Sequence, residues 1–286
     1  MSAHGPTSLT DLCQLGGQSP SWRINLILPD IAGGKMSKQE LSSIERCPQA
    51  TALVVSGLSQ DTFEFLVSTY GHQFTGIYLW KCPRIEDLTP LEALPQLTFA
   101  AAYWNQRAMR LWDCGRTPRL RGLEFRSFGR LRDLSDVQAA DSLTELRFGQ
   151  AWSDKAVYAS LEPLASLGHL RSLDFAATRI EDRRIQPLAR LQQLESFSCP
   201  TNLFTTKQCA WLRAHLPPRT RGRVLQPVEL LEPPLERHRG PPADVLVIGK
   251  GKPFLSSEAD AERVQRYVDE YWRMVDEFRS NPELQP

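Results

Sequence analysis

The sequence predicts an α/β solenoid of about seven repeats, with a parallel sheet on its concave face. The prediction comes from three columns of apolar residues that recur every 23 to 27 positions. The first column contains Ala50, Phe74, Leu97, Leu120, Leu143, Leu170 and Leu194. Three positions further on stand Leu53, Ile77, Ala100, Leu123, Leu146, Leu173 and Phe197. Five positions further on stand Val55, Leu79, Ala102, Phe125, Phe148, Phe175 and Cys199. A period of this length is typical of one solenoid turn, in which a short strand is followed by a turn and a return segment.

A second pattern precedes each column and identifies the kind of repeat. The segment Pro90–Leu97 has the form Pro-Leu-x-x-Leu-x-x-Leu, and the segments 163–170 and 187–194 repeat it. These segments resemble the short leucine-rich repeats of bacterial internalin-type proteins, and Ile85–Asn105 follows that pattern closely. The resemblance extends from about Leu41 to Leu216. It implies a leucine-rich-repeat solenoid and does not by itself imply a chemical activity.

Strand geometry predicts which residues of each repeat face the core. Alternate side chains of a strand point to opposite sides of the sheet. The second and third columns therefore enter the core, and the residues between them form ladders on the concave face. A consensus asparagine follows each strand and satisfies backbone groups of the turn. Asn105 and Asn202 retain it. In the longest repeat, Ser153–Tyr158 predicts a helix on the convex side.

Both ends of a strand stack need to be covered. We expect an N-terminal cap over residues 1–49, with a strand within Ser21–Leu28 and a helix near Ser37–Arg46. The solenoid then spans 50–216 and closes with a helix at Thr206–His215, which Pro217 and Pro218 end.

The remaining residues predict a C-terminal appendage of a strand and a helix. Residues 217–243 contain seven prolines and predict an extended linker. Residues 244–286 predict a buried strand followed by an amphipathic helix over Ser257–Arg279, with Ser257 and Asp260 as a capping box. The apolar face of this helix predicts docking onto the solenoid. A dimer seam or partner-binding helix is the alternative, so the oligomeric state stays open.

The candidate binding surface consists of nine residues on the concave ladders. Four are aromatic and five are charged: Tyr78, Trp80, Phe99, Tyr103, Glu124, Arg126, Glu145, Arg147 and Asp174. Aromatic residues and arginine are enriched in binding hot spots, which favours a protein partner on the concave face. In the alternative interpretation the charged side chains satisfy each other and the aromatic rings pack under a flanking segment.

Nucleic acid and phosphate are poorly supported as ligands. The formal net charge is +1, and acidic residues interleave with the eight arginines between Arg107 and Arg132, which predicts a solvated surface. Gly249–Lys252 lacks the spacing of a phosphate-binding loop and predicts a plain turn.

The sequence lacks the patterns of membrane-spanning, secreted, metal-binding and catalytic proteins. No apolar run approaches the ~20 residues of a membrane span, and the first 17 residues lack the pattern of a secretory signal. The six cysteines form no CxxC pair, which favours reduced thiols and a cytoplasmic location, although a specialised export route is also compatible. The histidines are isolated and no metal or catalytic motif is present, so we expect no metal, no cofactor and no enzymatic activity.

The sequence thus predicts a non-enzymatic, bacterial-type module that binds a protein on its concave face. An inhibitor, such as an immunity protein against a toxin, is one role that suits this architecture, and an assembly adaptor is another. The alternatives are a translocated effector that engages a host protein and an enzyme whose activity lies in residues 217–286.

Overall fold

The computed structural model describes residues 5–16, 19–150, 156–238 and 240–286. Its main feature is a parallel sheet of eight strands in which each strand lies beside the preceding one. The eight strands are β1 (Arg23–Leu26), β2 (Ala52–Val55), β3 (Gly76–Trp80), β4 (Phe99–Asn105), β5 (Gly122–Phe128), β6 (Glu145–Gly149), β8 (Ser172–Ala176) and β10 (Ser196–Ser198). Two short strands, β7 (Val157–Tyr158) and β9 (Arg179–Ile180), pair separately. The predicted leucine-rich-repeat solenoid is confirmed.

Five α-helices and a small antiparallel sheet complete the described part of the chain. The helices are α1 (Leu9–Cys13), α2 (Lys38–Leu41), α3 (Gln60–Tyr70), α4 (Thr206–His215) and α5 (Ala261–Ser280). The small sheet contains β11 (Val228–Leu235), β12 (Ala243–Val247) and β13 (Phe254–Leu255).

The core lies between the large sheet and the return segments. Leu123 pairs in register with Leu146, and Phe125 with Phe148, so the predicted columns run unbroken across the strands. The ring centroids of Phe148 and Phe175 are 5.0 Å apart and the rings are nearly parallel. Because each fully buried apolar side chain contributes roughly 1.5–3 kcal/mol, these columns supply much of the driving force for winding the chain.

The return segments are mostly single 3-10 turns. The turns Thr89–Ala93, Glu162–Ser166 and Gln186–Arg190 each have proline at their first or second position, where its missing N–H is not needed. The helix predicted at Ser153–Tyr158 lies mostly outside the described residues. Its described end is β7, which pairs with β9 in place of forming a helix.

The ends of the sheet are covered by several elements. β1 and α2 lie at the N-terminal end, and α4 lies at the C-terminal end. The amphipathic helix α5 packs against α4, and its Tyr271, Val275 and Phe278 are buried. This is the docked arrangement that we favoured over a dimer seam. Of the predicted linker 217–243, Val228–Leu235 is extended and pairs with β12 as strand β11, whereas Arg223–Leu225 forms a 3-10 turn.

The predicted capping box at the start of α5 is wrong. The backbone N–H of Ser257 donates to the Asp244 carboxylate at 2.7 Å, so Ser257 is tied to β12. The Asp260 carboxylate accepts the N–H of Ser256 at 3.0 Å instead. A tertiary contact with the small sheet thus replaces the local cap.

Candidate protein-binding face

The N-terminal part of the concave face is covered by the chain itself. Helix α1 lies across the outward side of β2 to β5. Its Leu9 and Leu12 are fully buried in a cluster with Val54, Tyr78 and Phe99. Burial of two leucines contributes roughly 3–6 kcal/mol, so α1 is an integral part of the fold.

Two glycines of the sheet make room for α1 and the residue Pro6 before it, and Gly122 also makes room for the Phe99 ring. A Cβ atom on Gly76 would lie 2.8 Å from Cγ of Pro6, and one on Gly122 would lie 2.9 Å from Cγ of Leu9. Contacts this short do not occur in folded proteins. Glycine in an outward-facing strand position often marks a site where another part of the structure approaches closely. These glycines are the signal by which the sequence could have revealed the cover.

Polar contacts hold both ends of α1. The Ser8 hydroxyl accepts the N–H of Asp11 at 3.1 Å and caps the start of the helix. At the other end Arg23 donates to the carbonyl of Asp11 at 3.1 Å, which suits the negative end of a helix. Toward the middle of the sheet, the N–H of Leu9 donates to the Glu145 carboxylate at 3.2 Å.

Helix α1 buries two of the four aromatic residues of the candidate surface and leaves the other two partly exposed. Tyr78 and Phe99 are only 3% and 4% exposed. The expectation that they form an open patch is therefore wrong for these two, because α1 packs on them. Trp80 and Tyr103 are half-buried and stack with ring centroids 4.6 Å apart. The Lys81 ammonium group lies 5.3 Å from the Trp80 ring centroid.

The five charged residues form one ion-pair network beside the aromatic pair. Arg126 contacts both Glu124 and Asp174. Arg147 contacts Glu124 at 3.6 Å and also contacts Glu145. Glu124 is 8% exposed, and its burial raises the pKa of that carboxyl above its ordinary value despite the two arginines. The side chains of Arg126, Arg147 and Asp174 stay 18%, 25% and 39% exposed.

The structure thus brings all nine predicted residues onto one face but leaves only part of it open. We define the open strip as Trp80, Tyr103, Arg126, Arg147 and Asp174. It offers an aromatic pair at one end and both signs of charge at the other. Such a surface suits the docking of a partner protein.

The same face contains few groups suited to catalysis. Cys13 of α1 lies near Glu124, and burial raises the pKa of its thiol, so the thiol stays protonated and is a poor nucleophile. Among the residues that the structure describes, no three or more His, Cys, Asp or Glu side chains are grouped to hold a metal ion. Within the same residues no helix has the length and apolar character of a membrane span.

Similar solved structures were found, while no family model and no curated protein matches the chain. They include internalin C2 of Listeria monocytogenes, with 16% identity and a TM-score of 0.38, and the internalin InlF of the same organism, with 17% and 0.33. A leucine-rich-repeat protein of Leptospira interrogans has 12% identity and a TM-score of 0.37.

Those three matches are partial. They cover 55%, 59% and 60% of this chain and 66%, 63% and 50% of the respective solved chains. Likeness at this level does not bear on the binding site or the partner. The assignment of the fold rests on the eight strands of this chain.

Proposed function

We propose that this chain is a non-catalytic module that binds a protein on the open strip of its concave face. The observation that carries the proposal is the stacked pair of Trp80 and Tyr103, which packs at the edge of the cluster under α1 and stays partly exposed although α1 covers the neighbouring rings. Partly exposed aromatic rings next to arginine are typical of interface hot spots.

The charged end of the strip supports the same proposal. Arg126 and Asp174 are paired with each other and keep exposed edges. Because a guanidinium has five N–H donors, Arg126 can retain its carboxylates and still bind a partner. A network whose charges already satisfy one another orients a partner without leaving an unpaired buried charge.

The thiols support a cytoplasmic location for the proposed interaction. All six cysteines are free, and four of them are buried. Free thiols persist in a reducing compartment, so we place the proposed interaction in the cytoplasm.

The experiment is affinity capture with the purified chain from a lysate of its own source organism. We compare the wild type with Trp80→Ala/Tyr103→Ala and with Phe254→Ala, which removes an exposed ring of the small sheet. The partner should be retained by the wild type and by Phe254→Ala but lost by the double variant. A captured protein that meets this criterion is then purified and titrated by calorimetry.

Loss of the two stacked rings should weaken this binding by about 2–4 kcal/mol. Thermal unfolding of all three proteins checks that each is folded. Retention of every captured protein by the folded double variant contradicts the proposal.

A further inference from the structure

A second candidate site lies at the C-terminal end of the concave side, beyond the open strip. It is an open groove of about 810 Å³ between β10 and the segment that follows α4. Four arginines and no acidic residue line it. We call it the arginine groove; it is lined by Arg213, Arg219, Arg221 and Arg223 and by the exposed polar residues Ser196, Ser198 and Gln226.

The groove continues the large sheet past its last strand. Arg221 forms a parallel bridge with Ser196, and its backbone carbonyl accepts the N–H of Phe197 at 2.8 Å. A Cβ atom on Gly222 would lie 2.2 Å from the carbonyl oxygen of Phe197, so only glycine lets the chain approach so closely. Because Arg221 is in register with Ser196, its side chain leaves on the concave side.

Backbone carbonyls hold two of the guanidinium groups in place. Arg219 donates to the carbonyl of Gln192 at 3.0 Å. Arg213 donates to the carbonyls of Pro218 and Thr220 at 3.4 and 3.5 Å, and its Nε atom is buried without a hydrogen-bond partner. Each guanidinium has five N–H donors, and these contacts with carbonyls use only part of them.

The charge of the groove is not neutralised from within the chain. Arg223 pairs with Glu229 at 2.8 Å. For Arg213, Arg219 and Arg221, no carboxylate of the residues that the structure describes lies within 4.0 Å of a guanidinium nitrogen. In the open strip, by contrast, Arg126 and Arg147 each contact two carboxylates. Three neighbouring uncompensated arginines create a positive potential that attracts an anionic ligand.

We propose that the arginine groove binds an acidic segment of a protein, a short stretch that presents two or three carboxylates. The planar guanidinium matches a carboxylate in a bidentate pair, and Ser196 and Ser198 are exposed on the groove floor as further polar partners. The Glu229 carboxylate pairs with Arg223 at one side of the groove, and its negative charge disfavours a ligand with continuous high charge density there. Discrete carboxylates therefore suit the groove better than a nucleic acid. This site stands whether or not the open strip binds a protein.

The test measures fluorescence anisotropy of three labelled probes added to the whole protein. The probes are a hexaglutamate peptide, a hexaglutamine peptide and a six-nucleotide oligothymidylate. We expect hexaglutamate to bind at low salt, hexaglutamine not to bind, and the binding of hexaglutamate to weaken as salt screens the charges. Arg219→Glu/Arg221→Glu should weaken hexaglutamate binding by at least about tenfold.

The matched control is Arg179→Glu/Arg190→Glu, which reverses the charge of two exposed arginines outside the groove. It should change the affinity for hexaglutamate by less than about twofold. Three results overturn the proposal. They are absence of hexaglutamate binding at low salt, equal losses in the two double variants, and tighter binding of the oligothymidylate than of hexaglutamate. Since all four substituted arginines are exposed, both double variants should unfold near the wild-type temperature.

Discussion

Arg147 donates a hydrogen bond to the hydroxyl of Thr10 at 2.8 Å, although the two residues are 137 positions apart in the sequence. The same arginine contacts Glu145, whose carboxylate accepts the N–H of Leu9. Arg147 and Glu145 of β6 therefore hold the far edge of α1, and the concave face is divided at this line. On the N-terminal side α1 packs on β2 to β5, and Trp80, Tyr103 and Arg126 of the open strip stay half-buried toward the C-terminal ends of β3 to β5. The arginine groove lies on the other side of the line.

The first prediction concerns helix α1, which covers the N-terminal part of the concave face. Leu12→Ala should lower the free energy of unfolding by about 2–4 kcal/mol, because Leu12 is fully buried between α1 and the sheet. Chemical denaturation measures the change. The control Gln14→Ala alters an exposed residue directly after the helix and should stay within about 0.5 kcal/mol. Equal small effects of both substitutions would show that α1 does not pack on the sheet in solution.

The second prediction concerns the buried carboxylate of the network. Glu124→Gln should raise the free energy of unfolding at pH 7 by on the order of 1 kcal/mol, because ionised Glu124 is buried while Arg126 and Arg147 keep other carboxylate partners. Burial raises the pKa of Glu124 in the folded chain above the ordinary value of 4.5. The folded wild type therefore takes up this proton at a higher pH than the unfolded chain does.

The pH dependence of stability follows from the higher pKa of Glu124 in the folded chain than in the unfolded chain. As the pH falls through the raised pKa toward 4.5, the wild type gains stability relative to the variant, and the difference should vanish below that range. Urea denaturation over this pH range measures it. The exposed Glu181→Gln should show a difference within about 0.5 kcal/mol. A lower stability of Glu124→Gln at pH 7 would mean that attraction to the arginines outweighs the cost of burial.

The repeat could be predicted because its information is local and repeated. Each strand carries the same alternation, and Leu123 and Leu146 have the same place in successive turns, so the register of the sheet follows from the spacing. The helix α4 was equally predictable, because Pro217 and Pro218 mark its end and the apolar residues Cys209, Trp211 and Leu212 anchor it.

The packing of helix α1 on the sheet and the arginine groove could not be predicted in the same way. Helix α1 has five residues, too few for a periodic pattern, and its partners Tyr78 and Glu145 lie far along the chain. Tyr78 and Phe99 therefore looked exposed from alternation alone. The arginine groove depends on the approach of Gly222 to Phe197, a contact that no local pattern encodes. The predicted cap of α5 failed for the same reason, since Ser257 is bound by Asp244.

The third prediction concerns the turn after β4. The Asn105 side chain donates to the carbonyls of Cys82 and Ile85 and accepts the N–H groups of Arg107 and Ala108. Asn105→Ala leaves these buried groups unpaired and should lower the free energy of unfolding by about 2–4 kcal/mol. Asn202→Ala tests the same position of another repeat, where the side chain is exposed, and should cost less than about 1 kcal/mol. Similar losses would mean that the position in the repeat, and not the hydrogen bonding of Asn105, sets the cost.

The last prediction concerns the close approach of β6 to β8. Gly149 has a φ of 102°, a conformation that residues with a Cβ atom rarely adopt. Its Cβ position lies 2.0 Å from the carbonyl oxygen of Ala176, so backbone would have to move to admit a methyl group. Gly149→Ala should therefore lower the free energy of unfolding by at least about 2 kcal/mol. Gly168→Ala, with nothing within 4 Å of its Cβ position, should leave it unchanged or raise it by up to about 1 kcal/mol. Denaturation of both variants gives the comparison, and a Gly149→Ala protein as stable as Gly168→Ala would show that the strands are not held at this spacing in solution.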